Sequence, residues 1–401
     1  MTVDLGSSRT PRGFRGALRR TLGVAAAGTI AISAVSVSLA TTAGAVGTYP
    51  NQVAVGALPT SAALDPYSNL LYVANTNANT VSVINAATNL VTNVIPVGSQ
   101  PVSVAVNPLT HVVYVANKTG NSVSVINGVT NKVTSTIPVP SAPTAVGVDR
   151  SNGTVLVAQS AANTVTLLSA ADNSVIDTVG TGADPVAIAV NPFTHTAYIA
   201  NYNSNSVTVV STQTDSYVTT VNVGSKPIAL AISTPSDNIY VSNSKAGSVS
   251  EISGANNTLL STIPIGGTLA GIDVNAGNSQ FFVASSSLAT VTAVNLSDNS
   301  IAAVDPAGNV PTAVVASAST YVVDSDPSNS TGEVSIISGV LLTGNEVHRH
   351  RNFPRRSRRE HCNQRGSRDE RHRRHAGKRQ RQLDSSDRGW HADRSRRQPE
   401  H

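Results

Sequence analysis

The sequence predicts an all-β fold: a seven-bladed β-propeller of four-stranded antiparallel blades, closed by an N-terminal strand and followed by a disordered basic C-terminal tail. Three observations carry this. The stretch LYVANTNANTVSVIN at 71 returns as VYVANKTGNSVSVIN at 113, and the residue leading each copy falls at Tyr72, Tyr114, Leu156, Tyr198, Tyr240, Phe282 and Tyr321, with five intervals of 42 residues and a last one of 39. Each copy holds four short runs that alternate apolar and polar residues at period two, the pattern of half-buried strands. Finally, one unmatched strand precedes the first full copy, while the last copy supplies only three.

Residues 1–45 read as a secretory signal. Arg9, Arg12, Arg15, Arg19 and Arg20 precede an uncharged run from Thr21 to Ala45 that ends in the small-residue triplet Ala43-Gly44-Ala45, so cleavage is expected after Ala45. The run is rich in Ala, Gly, Ser and Thr rather than Leu and Ile, which favours a cleaved signal over a retained anchor and implies no stable membrane insertion afterwards. Arg19-Arg20 followed by Thr21-Leu22 is similar to a twin-arginine signal, so export by the Sec or the twin-arginine route is expected. The product would be secreted or associated with the cell wall.

The body, residues 46–347, carries the repeats. In the second copy the strands are PVSVAVNP at 101, HVVYVAN at 111, NSVSVIN at 121 and KVTSTIPV at 132, separated by turn-forming Asn, Thr, Gly and Pro. A lone meander leaves faces and edges exposed, so the copies must stack, and a four-strand unit of about 40–45 residues is the size of a propeller blade. First strands such as SVAV at 103, AVGV at 145 and AIAV at 187 are built from small residues, as crowding at a central axis requires. Residues 51–56 form the odd N-terminal strand, and with the three strands at 311, 320 and 332 they complete a seventh blade, so the ring spans 51–338 and two free edges disappear.

Charge must be read by segment. The chain has a formal net charge of +5, yet 18 of its 28 Lys and Arg lie in residues 348–401, and residues 48–347 hold five basic residues against 15 carboxylates, a net of −10. The body is therefore acidic, and no nucleic-acid partner is expected for it. Its stability cannot come from disulfides, because the single cysteine, Cys362, is in the tail.

Tyr72-Val73-Ala74-Asn75, Tyr114-Val115-Ala116-Asn117, Tyr198-Ile199-Ala200-Asn201 and Tyr240-Val241-Ser242-Asn243 resemble the YVTN repeat, a family of secreted and surface-layer β-propellers with a lactonase-like fold. The resemblance covers the body, while Leu156 to Gln159, Phe282 to Ser285 and Tyr321 to Asp324 depart from the motif. It implies an architecture and leaves activity open, since one fold hosts many functions.

No catalytic, cofactor-binding or metal-ligating set is identified in the body. His111 and His195 are its only histidines and lie two periods apart in equivalent turns, which suits turn residues better than convergent ligands. The series Asp65, Asn107, Asp149, Asn191, Ser233, Asn275 and Ser317 ends the first strand of each copy. It reads either as a polar ring at one channel mouth or, preferably, as turns in which a short side chain bonds the backbone two residues on. Asp172, Asp177, Asp184, Asp324 and Asp326 are placed in loops without fixed partners, and the Asp324-x-Asp326 pair is too small a donor set for calcium. The expected function is a non-enzymatic, monomeric binding module for an unidentified protein or glycan at the cell surface, with a lactonase-like or lyase-like enzyme as the alternative.

The tail, residues 348–401, is charged and lacks strand periodicity, the composition of a disordered segment. Read one base out of frame, residues 390–399 permit Gly-Thr-Pro-Thr-Ala-Val-Ala-Val-Asn-Pro, a match to PVSVAVNP at 101, with its Asn at 398 in phase with the repeat. The tail is therefore read as a frameshift product overwriting further repeats.

Overall fold

A computed structural model describes residues 52–326 and 331–338 of the chain; the signal-like segment and the basic tail, with the readings made of them, lie outside the described residues. Strand β1 (Gln52–Val55) comes first. Blade one follows as β2 (Pro59–Asp65), β3 (Leu70–Asn75), β4 (Thr80–Asn85) and β5 (Leu90–Pro96), hydrogen-bonded in chain order. The unit repeats as β6–β9 over 101–138, β10–β13 over 143–180, β14–β17 over 185–222, β18–β21 over 227–264 and β22–β25 over 269–306. The last blade orders β26 (Pro311–Ala316), β27 (Ser319–Asp324) and β28 (Gly332–Ser338) with β1 at its outer edge.

The sequence dictates these strands locally. Four-residue turns join most of them, and the fourth residue of those in blade one takes a left-handed φ: Asn69, Asn79 and Asn89 stand at 55°, 56° and 57°. Asn tolerates that region better than other side chains because its short amide bonds locally. Tyr72 opposes Ala63 on one side and Val83 on the other, and this register is kept from blade to blade.

The recurring Tyr-x-x-Asn motif has a physical role at each end. The Asn75 amide donates to Thr80 Oγ1 at 3.1 Å and Ser82 Oγ at 2.9 Å, and Asn117, Asn201 and Asn243 bind the hydroxyls five and seven residues on in the same way. A Cβ on Gly98 would meet the Asn117 amide at 2.6 Å, so a glycine must precede the next blade there. At the other end, two of the buried tyrosines reach across blades in this way: Tyr198 Oη donates to Asn257 Oδ1 at 3.1 Å and Tyr321 Oη to the Ala86 carbonyl at 3.1 Å.

The core is seven clusters, each lying between two blades rather than within one. Tyr72, Val81 and Val83 of blade one pack on Val104, Val113 and Val115 of blade two. At the closure, Val53 and Val55 join Tyr321, Val323 and Val334 against Leu71 and Val73. Strand β1 pairs antiparallel with β28, Val53 opposite Val334, so the N-terminal strand seals both an edge and a core.

Substituting Val53→Asp puts a carboxylate into that closing core, whereas Val94→Asp alters an exposed position on β5. The first is expected to cost more than about 3 kcal/mol and the second under about 0.5 kcal/mol, as read by chemical denaturation; equal effects would mean that β1 does not close the ring.

Candidate functional site

Six of the seven residues in the polar series, Asp65 to Asn275, are the last of their first strands and bond into the turns that follow, while Ser317 lies just past β26. Asp65, Asn107, Asp149, Asn191 and Asn275 each accept the amide hydrogen two residues on, at 2.9 to 3.1 Å. Ser233 accepts from Ser236 Oγ at 2.9 Å, and Ser317 Oγ donates to the Ser319 carbonyl. Of the seven, only Ser317 lines a channel cavity. Several also stitch blades together: Asp65 Oδ2 lies 2.6 Å from His111 Nδ1, Asp149 Oδ2 lies 3.0 Å from His195 Nδ1, and Asn191 Nδ2 donates to Asp237 Oδ1 at 2.6 Å. His111, His195 and Asp237 occupy the same left-handed turn position on blades two, four and five, at φ 55°, 52° and 53°.

Burial alone would raise Asp149, but hydrogen bonds from Ser151, from Thr212 at 2.6 Å and from His195 outweigh it and hold its carboxyl below the ordinary value. Asp65 is lowered in the same manner, by His111, Ser68 and two backbone amides acting against burial. Two Ser/His/Asp clusters stand among the described residues, Ser68 with His111 and Asp65 and Ser151 with His195 and Asp149, and neither has the geometry of a nucleophilic triad. In the first, Ser68 Oγ bonds Asp65 Oδ2 at 2.8 Å, the oxygen that also meets His111. Ser151 Oγ at 3.3 Å and Asp149 at 3.0 Å approach the same imidazole nitrogen, Nδ1, and Ser151 is further tied to the Pro192 carbonyl at 2.7 Å. A working triad places the nucleophile on the nitrogen opposite the carboxylate. Among the described residues no group of three or more His, Cys, Asp or Glu converges to hold a metal ion.

The channel between the first strands is where the repeat is broken. Its middle, a cavity of about 460 Å³, is lined by residues 60–62 and their equivalents on all seven blades. At the end where the first strands finish, a cavity of about 400 Å³ is walled by Leu64, Val106, Val148, Val190, Ile232 and several prolines, and it contains two charged residues, Arg150 and Asp273. The residue opposite each lead residue is Ala63, Ala105, Gly147, Ala189 or Ala231 in the first five blades and Val315 in the last, whereas blade six has Asp273 opposite Phe282. Arg150 likewise stands where blades one, two and four have Pro66, Pro108 and Pro192.

Asp273 lines the lumen half-buried, and desolvation there raises its carboxyl to about 6, although the Ala316 and Val274 amides, each at 2.8 Å, pull the other way. Arg150 lies over the Phe193 ring, 5.7 Å from its centroid, a cation–π arrangement that keeps the guanidinium at the rim. Exposed Tyr67, Leu109 and Phe193 occupy matching turn positions around this mouth.

Two other carboxylates break the repeat away from the channel. Glu251 replaces the Val83, Val125, Leu167 and Val209 of earlier blades. It is buried and fully satisfied, accepting from Asn238, Tyr240, Ser261 and Asn299 at 2.8 to 3.2 Å, so it braces blades five and six. Asp324 corrects the loop assignment made from the sequence: it ends β27, is buried, and occupies the position of the motif Asn, accepting from Ser335 Oγ at 2.8 Å. Burial there raises its carboxyl to about 6. Asp326 bonds the Asn309 amide at 3.2 Å. Sequence reasoning missed Asp273, Arg150 and Glu251; the available signal was the repeat register, in which each is the odd residue of its column.

Fold and channel together define a seven-bladed β-propeller. No protein-family model matches the chain, and no curated protein matches it. Among solved structures it is similar to a chain of hydrazine synthase from Kuenenia stuttgartiensis, with 18% identity and a TM-score of 0.62 over 72% of this chain and 97% of that one. A likeness at that identity concerns the fold alone. Among the described residues no helix is long and apolar enough to cross a membrane.

Asp149 and Asp324 give opposite pH dependences. Asp149 is lowered, so its contribution is present above about pH 4 and lost as pH falls through its folded-state value. Asp324 is raised, so its contribution is complete below about pH 4 and lost as pH rises through about 6. Asp324→Asn, which restores the motif residue, is expected to raise stability at neutral pH by roughly 1–3 kcal/mol and remove its share of the decline between about pH 4 and 6. Asp149→Asn is expected to lower neutral-pH stability by about 1–3 kcal/mol, an effect that shrinks below about pH 4. Urea midpoints measured across pH check both signs.

Proposed function

We propose that this chain is an exported YVTN-type propeller that works as a non-enzymatic binding module at the cell surface, holding its ligand in the channel mouth that contains Arg150 and Asp273. The carrying observation is the departure of these two residues from the repeat toward one cavity. Six blades keep a small apolar residue where Asp273 stands. An ionisable side chain in an apolar channel wall is unfavourable for stability, so its position there is best accounted for by recognition. The size of the cavity, about 400 Å³, suits a small ligand or the end of a chain. The exposed Tyr67, Leu109 and Phe193 extend that surface outward, as binding rims do.

An enzymatic reading needs a nucleophile with its base or a convergent metal set, and the Ser151, His195 and Asp149 arrangement supplies neither. The Tyr-x-x-Asn columns support the family assignment, and the signal-like segment supports export.

Ala189→Trp places a large ring at the mouth. In a panel of cell-surface glycans and peptides, the native chain is expected to show thermal stabilisation by at least one member, which the Trp variant loses while keeping its own melting temperature. Lactone hydrolysis above the buffer rate, with or without added divalent metal, would contradict the binding-module reading.

A further inference from the structure

We propose that the mouth of the channel binds a compact zwitterion, its cationic group on Asp273 and its anionic group on Arg150, with an apolar body between them against the valine, leucine and isoleucine walls. The inference rests on the mouth being the binding site and adds the chemistry of the ligand.

Three observations converge on this. The two charged residues have opposite sign and line the same cavity, yet the ion pairs of the described residues are His111 with Asp65 and His195 with Asp149. Arg150 and Asp273 are therefore not each other's partner. They also stand three blades apart in a ring of seven, on the first strands or following turns of blades three and six, so the open mouth separates them.

Each group also retains bonding capacity beside the cavity that it lines. Both Asp273 oxygens accept one backbone amide, from Val274 and from Ala316, and a carboxylate oxygen can accept a second donor. Arg150 is held by the face of Phe193, a contact that leaves its five N–H donors available to a carboxylate or phosphate.

The apolar walls decide between a zwitterion and a ligand of single charge. A body filling the cavity displaces water from both groups at once, and a desolvated charge without a partner is strongly unfavourable. A cation alone would satisfy Asp273 and strand Arg150; an anion alone would do the reverse. A ligand carrying both charges leaves neither unpaired, and its methylene groups gain contact with the walls. Thr234 at the same rim offers one further hydroxyl.

The test is calorimetric titration of the full chain at neutral pH with straight-chain ω-amino acids of increasing length, beside hexylamine and hexanoate. The expected result is that one ω-amino acid binds at least about tenfold more tightly than either single-charge probe. Asp273→Asn should bring that ligand down to the affinity of hexanoate, and Arg150→Met to that of hexylamine, with neither variant melting below the native chain. The advantage should also fall on acidification through about pH 6, as Asp273 takes up its proton. Equal affinity for the three classes, or variants without effect, would overturn the zwitterion while leaving the mouth a binding site if Ala189→Trp abolishes that common binding. Binding of none of the probes would overturn the proposal, and it would remove the support for the mouth as a small-ligand site if the glycan and peptide panel also fails.

Discussion

A four-stranded meander of this kind has two apolar faces, and only neighbouring meanders can cover them. That constraint shapes everything else in the molecule. Strand β3 is buried along nearly its whole length because blade seven lies on one side of it and blade two on the other. At about 1.5–3 kcal/mol for each large apolar side chain removed from water, an unclosed array would forfeit one of these interfaces and leave β2 and β26 without each other. Closure comes from β1, whose Val53 and Val55 enter the core between the last and first blades while its backbone pairs with β28. The channel exists only because the ring closes, and it is closure that sets residues of blades three and six around one opening.

The same scaffold gives acidic residues very different roles through their surroundings. Asp65 and Asp149 lie in turns where hydrogen-bond donors converge, and they stay ionised as staples between blades. Glu251 is enclosed by four neutral donors and serves as an internal brace. Asp324 stands in a niche shaped for an amide, pressed against Gly308, and its carboxyl is raised. Asp273 alone among these faces the channel cavities. Distinguishing a brace from a binding group therefore required knowing which way each strand residue faces, the lumen or the neighbouring blade.

Much of the fold was legible because the physics repeats. The Tyr72 to Tyr321 columns fixed the period, the alternation fixed the strands, and the strand at 51–56 revealed the closure, with Gln52–Val55 as its described part. The site was far less legible. His111 and His195 drew notice as rare residues, but they occupy left-handed turn positions and clasp the preceding blade. Asp273 was hidden inside a strand whose alternation looked ordinary, and Arg150 inside a turn; each stands out only when compared down its column. Asp324 was read as a loop carboxylate although it stands three residues after Tyr321, in the column of the motif Asn; an ionisable residue type suggested a solvated turn, whereas the strand continues through it and buries it.

Closure of the ring by β1 is the claim on which fold and site both depend, and a paired-cysteine cross-link measures it directly. Ala54 and Glu333 are opposite partners on β1 and β28. With Cys362→Ser removing the native thiol, Ala54→Cys with Glu333→Cys is expected to form a disulfide within single chains under mild oxidation, and the cross-linked protein should melt at a higher temperature than its reduced form. Cross-links formed only between chains, or none at all in a folded protein, would contradict a ring closed by its N-terminal strand.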